Sequence, residues 1–224
     1  MRSRTRIWER SEASLYNQSL NVDEYIAIAE RQLTPQRFKH SLGVMQMMGE
    51  LAAIYNIDEA AALTAGILHD IAKEFTPDDL IQSADENKIL LRSEYDRMPL
   101  FLHGPVGACY STRTLGVMDS MILDAISWHS YFGDGVALSP SFCWCLRLAD
   151  LLEPSRNWEE LKMQLKPVAY AGELAEAAYL LMQWLIPFHE SASLPVHPNM
   201  HRVFLELSTL REEKSIREVD SLPV

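Results

Sequence analysis

From residue 21 onward, apolar residues recur at steps of three and four, the spacing of helices that bury one face. In the stretch 35–55, His40, Val44, Met47, Leu51 and Tyr55 follow steps of four, three, four and four, so an imidazole shares the inward face. Ala60 to Leu68 is nearly continuous in small and apolar residues and runs into His69-Asp70. Asn21 with Glu24 has the form of a capping box. Thr34-Pro35, Thr76-Pro77 and Ser139-Pro140 pair an N-cap with proline at the first helical position, and Asp58 and Asp119 can cap two more helices. The pattern predicts helices near 22–32, 35–55, 58–73, 77–84, 104–115, 120–130, 140–153, 168–186 and 199–213. No segment joins period-two alternation to a hairpin turn, and no repeat of solenoid period occurs. The expected fold is all-α.

One domain fits this pattern. Residues 1–20 read as a peripheral N-terminal extension, 21–213 as a single helical domain and 214–224 as a charged C-terminal tail, with Gly133-Asp134-Gly135 as a flexible loop. The helix at 168–186, with Leu174, Ala178, Leu181 and Leu185 on one face, reads as core or as a subunit contact, which leaves a homodimer open.

With 48% hydrophobic residues in 224, the chain can bury a full core, which excludes an intrinsically disordered role. Twenty Lys and Arg against 31 Asp and Glu give a net charge of −11 and a pI near 5.1. Such a surface repels phosphate backbones and anionic lipid, so neither nucleic acid nor a membrane is an expected partner. An anionic ligand would need local positive charge, most simply a metal. The apolar run Leu180–Phe188 is interrupted by Gln183 and Pro187 and is far short of the roughly 18 residues of a membrane span. The basic start, Met-Arg-Ser-Arg-Thr-Arg, meets Glu9 and Glu12 instead of an apolar signal region, and the expected location is the cytoplasm. Cys109, Cys143 and Cys145 are odd in number and sit in apolar helical stretches, as reduced core thiols would.

The chemistry lies in a set of histidines and carboxylates. Taken singly, each histidine reads as a satisfied core or surface imidazole. Together they read differently. His69-Asp70 ends an apolar helix, His103 heads one, His129 ends another, and Asp150 lies in the apolar run Cys145-Leu146-Arg147-Leu148-Ala149-Asp150-Leu151-Leu152. A buried carboxylate costs several kcal/mol unless a cation or strong donors meet it. Lys73, three residues after Asp70 on the same helical face, is one such partner for it, and Arg147 or another nearby arginine one for Asp150. Four imidazoles and two carboxylates from five helices form an N/O set suited to iron, manganese, cobalt, nickel or zinc.

The order His40, His69-Asp70, His103, His129, Asp150 resembles the HD-domain metal-dependent phosphohydrolases. The words Arg37-Phe38-Lys39-His40-Ser41-Leu42-Gly43-Val44, His69-Asp70-Ile71-Ala72-Lys73, His103-Gly104-Pro105-Val106-Gly107-Ala108 and Ala149-Asp150-Leu151-Leu152-Glu153-Pro154-Ser155-Arg156 look like the YqeK group, over roughly residues 22–205. That group splits diadenosine tetraphosphate symmetrically. The resemblance implies an HD-type helical bundle and two divalent metal ions, often iron. Asp70 would bridge them, with His40, His69 and Asp150 on one ion and His103 and His129 on the other. Two such cations, about 3.5–4 Å apart, orient a phosphate and stabilise attacking and leaving oxygens.

Asp70 and Lys73 are then the candidate catalytic residues. Lys73, Ser130 and Arg156 are the candidates for binding the phosphates of a nucleotide substrate, and Glu153 is a residue that can orient Arg156. After the fourth histidine the chain departs from the group: His129-Ser130-Tyr131-Phe132-Gly133-Asp134 keeps a hydroxyl but lacks the group's arginine. Met200 and Leu205 stand where relatives carry polar Thr and Asn. Two other readings stay in view: an HD phosphatase acting on mononucleotides or another small phosphoester, and a metal- or nucleotide-binding regulatory module without turnover.

Overall fold

The computed structural model describes residues 21–133 and 141–220. Ten α-helices appear among them: α1 Val22–Gln32, α2 Pro35–Tyr55, α3 Glu59–Leu68, α4 Pro77–Glu86, α5 Pro99–Leu115, α6 Ser120–Trp128, α7 Ser141–Leu152, α8 Glu159–Tyr170, α9 Leu174–Ser191 and α10 Pro198–Asp220. A single 3₁₀ turn covers Tyr95–Arg97, and no strand occurs among the described residues. The all-α expectation holds. Residues 1–20, Asp134-Gly135, the Ser139-Pro140 cap and residues 221–224 lie outside the described residues.

Side-chain caps set four of the helix starts. Asn21 and Glu24 form the reciprocal capping box, Thr76 forms a second with Asp79, and the carboxylates of Asp58 and Asp119 accept the backbone N–H groups of Ala61 and of Met121 and Ile122. Thr34 makes no such cap; its hydroxyl donates to Glu74 at 2.7 Å. At the far end of α2, Asn56 adopts the left-handed conformation, φ 51°, that closes a helix.

Three boundaries differ from the sequence pattern. The helix expected over 58–73 stops at Leu68, and the chain continues in tight turns, Ile71 N–H to Leu68 O, Lys73 N–H to Asp70 O and Phe75 N–H to Ala72 O. Lys73 therefore reaches Asp70 across a turn, not along a helical face. The helix expected from 104 starts at Pro99, so His103 lies in its second turn rather than at its head, with Pro105 inside the helix. Complete burial of Phe101 and Leu102 offsets the backbone bond that Pro105 cannot make. The stretch 168–186 is broken: α8 ends at Tyr170 and Gly172, φ 80°, reverses the chain into α9.

The core runs through α2, α3 and α7, with α5 and α6 packed on one side and α8, α9 and α10 on the other. Trp144, Phe142, Phe132, Leu51 and Met48 are fully buried. Ala178 and Leu181 of α9 are buried in this core, so that face packs within the chain. Cys143 and Cys145 are buried, Cys109 is half-buried, and all three are free thiols. Among the described residues, no helix is long and apolar enough to cross a membrane.

Two close helix contacts draw the histidines together. A Cβ on Gly66 would stand 2.5 Å from the Met45 backbone, and one on Gly104 would stand 2.6 Å from the Ser127 carbonyl. Hydrogen at those positions lets α3 approach α2, and α5 approach α6, each beside a histidine.

Candidate metal centre

Five helices deliver six side chains to one place. His40 comes from α2, His69 from the C-cap of α3 with Asp70 in the turn behind it, His103 from α5, His129 from the C-cap of α6 and Asp150 from α7. His69, Asp70, His103 and His129 are buried, whereas His40 and Asp150 are partly open.

Each imidazole turns one nitrogen outward to an acceptor. His69 Nδ1 meets Gly66 O at 2.8 Å, His129 Nδ1 meets Ile126 O at 2.8 Å, His103 Nδ1 meets Pro99 O at 3.1 Å and His40 Nδ1 meets Glu153 Oε1 at 2.9 Å. An Nδ1 beside a carbonyl or carboxylate carries the proton, so the Nε2 of each neutral ring is a lone-pair donor. These four Nε2 atoms face inward: His40 and His69 are 3.2 Å apart, and His103 and His129 are 3.0 Å apart.

Asp70 completes the arrangement. Its Oδ1 lies 3.1 Å from His103 Nε2, 3.4 Å from His129 Nε2 and 3.5 Å from Lys73 Nζ, yet none of these contacts is aligned as a hydrogen bond to it. A buried carboxylate oxygen ringed by lone pairs and left without a hydrogen bond is what a shared cation explains. Donor atoms converge within 4.8 Å of one another in two groups, His40 with His69 and Asp150, and His69 with Asp70 and His129. These residues fit a divalent metal centre of N and O ligands without thiolate.

The electrostatics agree with that chemistry. Burial pushes His69 down to about 3 and His103 down to about 4, so both rings are neutral at pH 7. At His40 burial works downward as well, but the hydrogen bond and charge of Asp150 outweigh it and raise the ring above its ordinary value. Burial alone would raise Asp70 and Asp150. Lys73 and His69 beside the first, and Arg156 and His40 beside the second, hold both carboxyls well below their usual range.

Cations ring the mouth of the centre. Lys73 Nζ sits 2.9 Å from His103 Nε2, and Arg156 Nη2 donates to Asp150 Oδ1 at 2.6 Å with its guanidinium 4.9 Å from the Trp158 ring. Ser130 Oγ lies 3.1 Å from the Nε2 atoms of both His103 and His129. All the side chains named from the sequence as ligands or phosphate contacts thus gather at this centre. Met200 is buried in the core and Leu205 projects from α10 into solvent, so neither faces it.

Three residues here take parts that the sequence analysis did not assign to them. Arg37, one helical turn before His40, reaches 3.9 Å from Asp70 and 3.2 Å from Glu74. Glu153, one turn after Asp150, is bound to His40 and to the N–H and hydroxyl of Ser155, so it orients His40 and not Arg156, which is bound to Asp150. Both lie at i±3 from a ligand, and that spacing is the signal that could have found them. Arg147 is no partner of Asp150. It donates from within the core to the carbonyls of Trp128 and Tyr131 and so clamps the turn that carries His129 and Ser130.

The HD domain family matches residues 37–155, a segment that contains all six ligand candidates. The chain is 35% identical over 137 residues to a symmetrical bis(5'-nucleosyl)-tetraphosphatase of Bacillus subtilis, covering 61% of this chain and 72% of that protein. It is 26% identical over 204 residues to one of Halalkalibacterium halodurans, covering 87% and 100%. Among solved structures it resembles an HD superfamily hydrolase, described as involved in NAD metabolism, from Clostridium acetobutylicum. That match has a TM-score of 0.77 at 27% identity and covers 86% of this chain and 99% of that one. A helical fold, an inward-facing N/O cage and these likenesses place the chain in the HD domain family of metal-dependent hydrolases, within the family of the symmetrical bis(5'-nucleosyl)-tetraphosphatases.

Proposed function

We propose that this protein hydrolyses diadenosine tetraphosphate symmetrically, between the second and third phosphates, to give two ADP. The observation that carries a metal-dependent reaction is the set of four imidazoles whose Nδ1 atoms are tied outward while their Nε2 atoms face one another around Asp70. The substrate class comes from the relatives, which are named for symmetrical cleavage of bis(5'-nucleosyl) tetraphosphates, of which diadenosine tetraphosphate is one.

In this reading His40, His69 and Asp150 would hold one divalent ion and His103 and His129 another, with Asp70 a ligand that would serve both. Iron is the expected metal; an N/O set without sulfur also accommodates manganese, cobalt, nickel or zinc. When bound, such ions make water a nucleophile at neutral pH and offset phosphate charge. The chain's own residues do the rest. Glu153 and the backbone carbonyls keep the four rings in the donor tautomer. Lys73, placed beside His103 and Asp70, answers charge as it develops on the departing phosphate oxygen. Arg156 offers a planar fork held against Trp158, and Ser130 the hydroxyl that the segment after His129 keeps. In a chain of net charge −11, these cations supply the local attraction that a polyphosphate needs. The cytoplasmic location belongs to the same proposal.

The test is product analysis on freshly purified protein of measured metal content, with dinucleoside polyphosphates, mononucleotides and simple phosphoesters as substrates. Two ADP from the tetraphosphate, lost with a chelator and restored by metal, is the expected result. Preferential release of phosphate from mononucleotides would favour a phosphatase, and binding without turnover a regulatory module.

A further inference from the structure

The segment that follows α6 has few bonds of its own. Among the described residues, no backbone–backbone hydrogen bond outside the helices falls within 130–133. Its carbonyls are met instead by side chains from distant elements. Arg147 Nη2 donates to Trp128 O and, at 3.1 Å, to Tyr131 O; Asn199 Nδ2 donates to Phe132 O, and Arg202 Nη2 to Gly133 O at 3.0 Å. The two carbonyls on Arg147 bracket His129 and Ser130, whose side chains enter the metal centre. The matching place after α3 is built otherwise. His69 and His129 both sit at a helix C-cap with Nδ1 on the carbonyl three residues back, but the turn after His69 is closed by backbone bonds of its own and by Gln32 on Ile71 O.

Arg147 is an unusual core residue. It is 3% exposed, its Nε and Nη1 are buried without a hydrogen-bond partner, and burial pushes its guanidinium down to about 10, which leaves it charged at pH 7. The charge is met by the C-terminal end of α6, where carbonyl partial charges gather, and by the Phe132 ring 3.9 Å away. A residue needed there only for packing would carry no charge, because a buried cation costs more than an apolar side chain of similar volume. The same helix thus serves both groups of donors. Asp150 of α7 reaches one group directly, and Arg147, one turn earlier, reaches the other through the turn that carries His129.

We propose that Arg147 is a positioning residue. It fixes where His129 Nε2 and Ser130 Oγ stand, and so sets ion affinity at the His103–His129 position while leaving the His40–His69–Asp150 position unaltered. Asn199 and Arg202 hold the far end of the same turn, where the buried rings of Tyr131 and Phe132 also anchor it. Arg147 alone acts on both sides of His129. The inference rests on the two-ion reading, and its test includes a measurement that needs no metal.

Arg147→Met keeps an unbranched apolar stem and removes charge and donors, Arg147→Lys keeps the charge on a shorter arm without the fork, and Arg202→Met loosens only the far end of the turn. Metal-free protein is titrated with manganese(II) and followed by calorimetry. Wild type should bind two classes of ion, and His129→Ala identifies the class that depends on this turn. Arg147→Met should weaken that class about tenfold or more and leave the other within about twofold. Arg147→Lys should weaken it less, and Arg202→Met should match wild type. In metal-free protein labelled with nitrogen-15 histidine, the His129 ring should keep its proton on Nδ1 in wild type and exchange between tautomers in Arg147→Met, while His69 keeps one tautomer. Should Arg147→Met fail to fold by circular dichroism, Arg147→Lys decides both measurements. Two unaltered classes of ion in the folded variant, or equal weakening of both, overturns the proposal and leaves the metal reading standing. No manganese uptake by wild type overturns the metal reading instead; the tautomers then decide whether Arg147 holds His129 in place, and a single tautomer in wild type and variant alike overturns that as well.

Discussion

His40 and Glu153 stand 113 positions apart in the chain, yet His40 Nδ1 and Glu153 Oε1 lie 2.9 Å from each other. Glu153 is buried and accepts two further bonds of 2.6 Å from Ser155. Burial would raise its carboxyl, but the bonds from Ser155 and His40 outweigh it and keep the group ionised. A carboxylate on Nδ1 fixes the tautomer and makes Nε2 a stronger donor. Glu153→Gln should therefore lower metal affinity about 10- to 100-fold with the fold retained, as read by metal titration alongside far-UV circular dichroism. Affinity equal to wild type would reduce Glu153 to a tether for Ser155.

Arg156 and Lys73 divide the phosphate work differently. Arg156→Lys keeps the charge but loses the fork, and kcat/KM should fall roughly 10- to 100-fold, the scale of one charge-assisted hydrogen bond. Lys73→Ala should lower kcat more than it raises KM, the signature of a contact made chiefly in the transition state. Steady-state kinetics within twofold of wild type for both would mean that phosphate is held elsewhere, with Arg37 the next cation to test.

Acid should destabilise the metal-free protein before its carboxylates titrate. His69 is pushed to about 3 and His103 to about 4 from the ordinary 6.5, so on acidification the unfolded chain takes up protons that the folded rings refuse. Stability then falls as pH drops from about 6.5 toward 4, by up to about 1.4 kcal/mol per pH unit for each proton. His40, raised above 6.5, has the opposite sign and softens the upper end of this window. Asp70 and Asp150, both depressed, extend the loss to lower pH. Denaturant titrations of chelated protein across this range check it. Flat stability between pH 6.5 and 4 would contradict neutral buried imidazoles.

Gly66→Ala should act on the fold and the centre together. The new Cβ meets the Met45 backbone, which cannot swing aside as a side-chain tip does, so α2 and α3 must separate. The expected cost is about 1–3 kcal/mol of overpacking, with weaker metal binding because His40 and His69 move apart. Thermal denaturation with and without metal separates the two effects, and a variant as stable and as metal-loaded as wild type would show that the helices can slide.

What was legible in the sequence was what is local. Caps, proline positions and apolar spacing located most helices because each is decided within a turn or two of chain. Gly-Pro at 104–105 resembled a helix start, but the burial of Phe101 and Leu102, which only the packed core provides, carried α5 back to Pro99. The break at Gly172 was hidden by apolar residues on both sides, since helical spacing does not register one residue of positive φ.

The six ligand candidates were legible for a related reason: buried imidazoles and carboxylates are costly, and their order along the chain survives whatever the packing. Which nitrogen each ring turns inward was not. That depends on the carbonyls of Gly66, Pro99 and Ile126 and on Glu153, whose places are set by where helices end and cross. Arg147 shows the same limit, an arginine beside Asp150 in sequence whose bonds go instead to the turn holding His129. Sequence by itself determined the helices, the acidic surface and the roster of metal-binding groups, because composition and short-range spacing decide them. Only the tertiary structure decided which atoms face one another, because hydrogen-bond partners and closed cavities are made by segments that meet from distant parts of the chain.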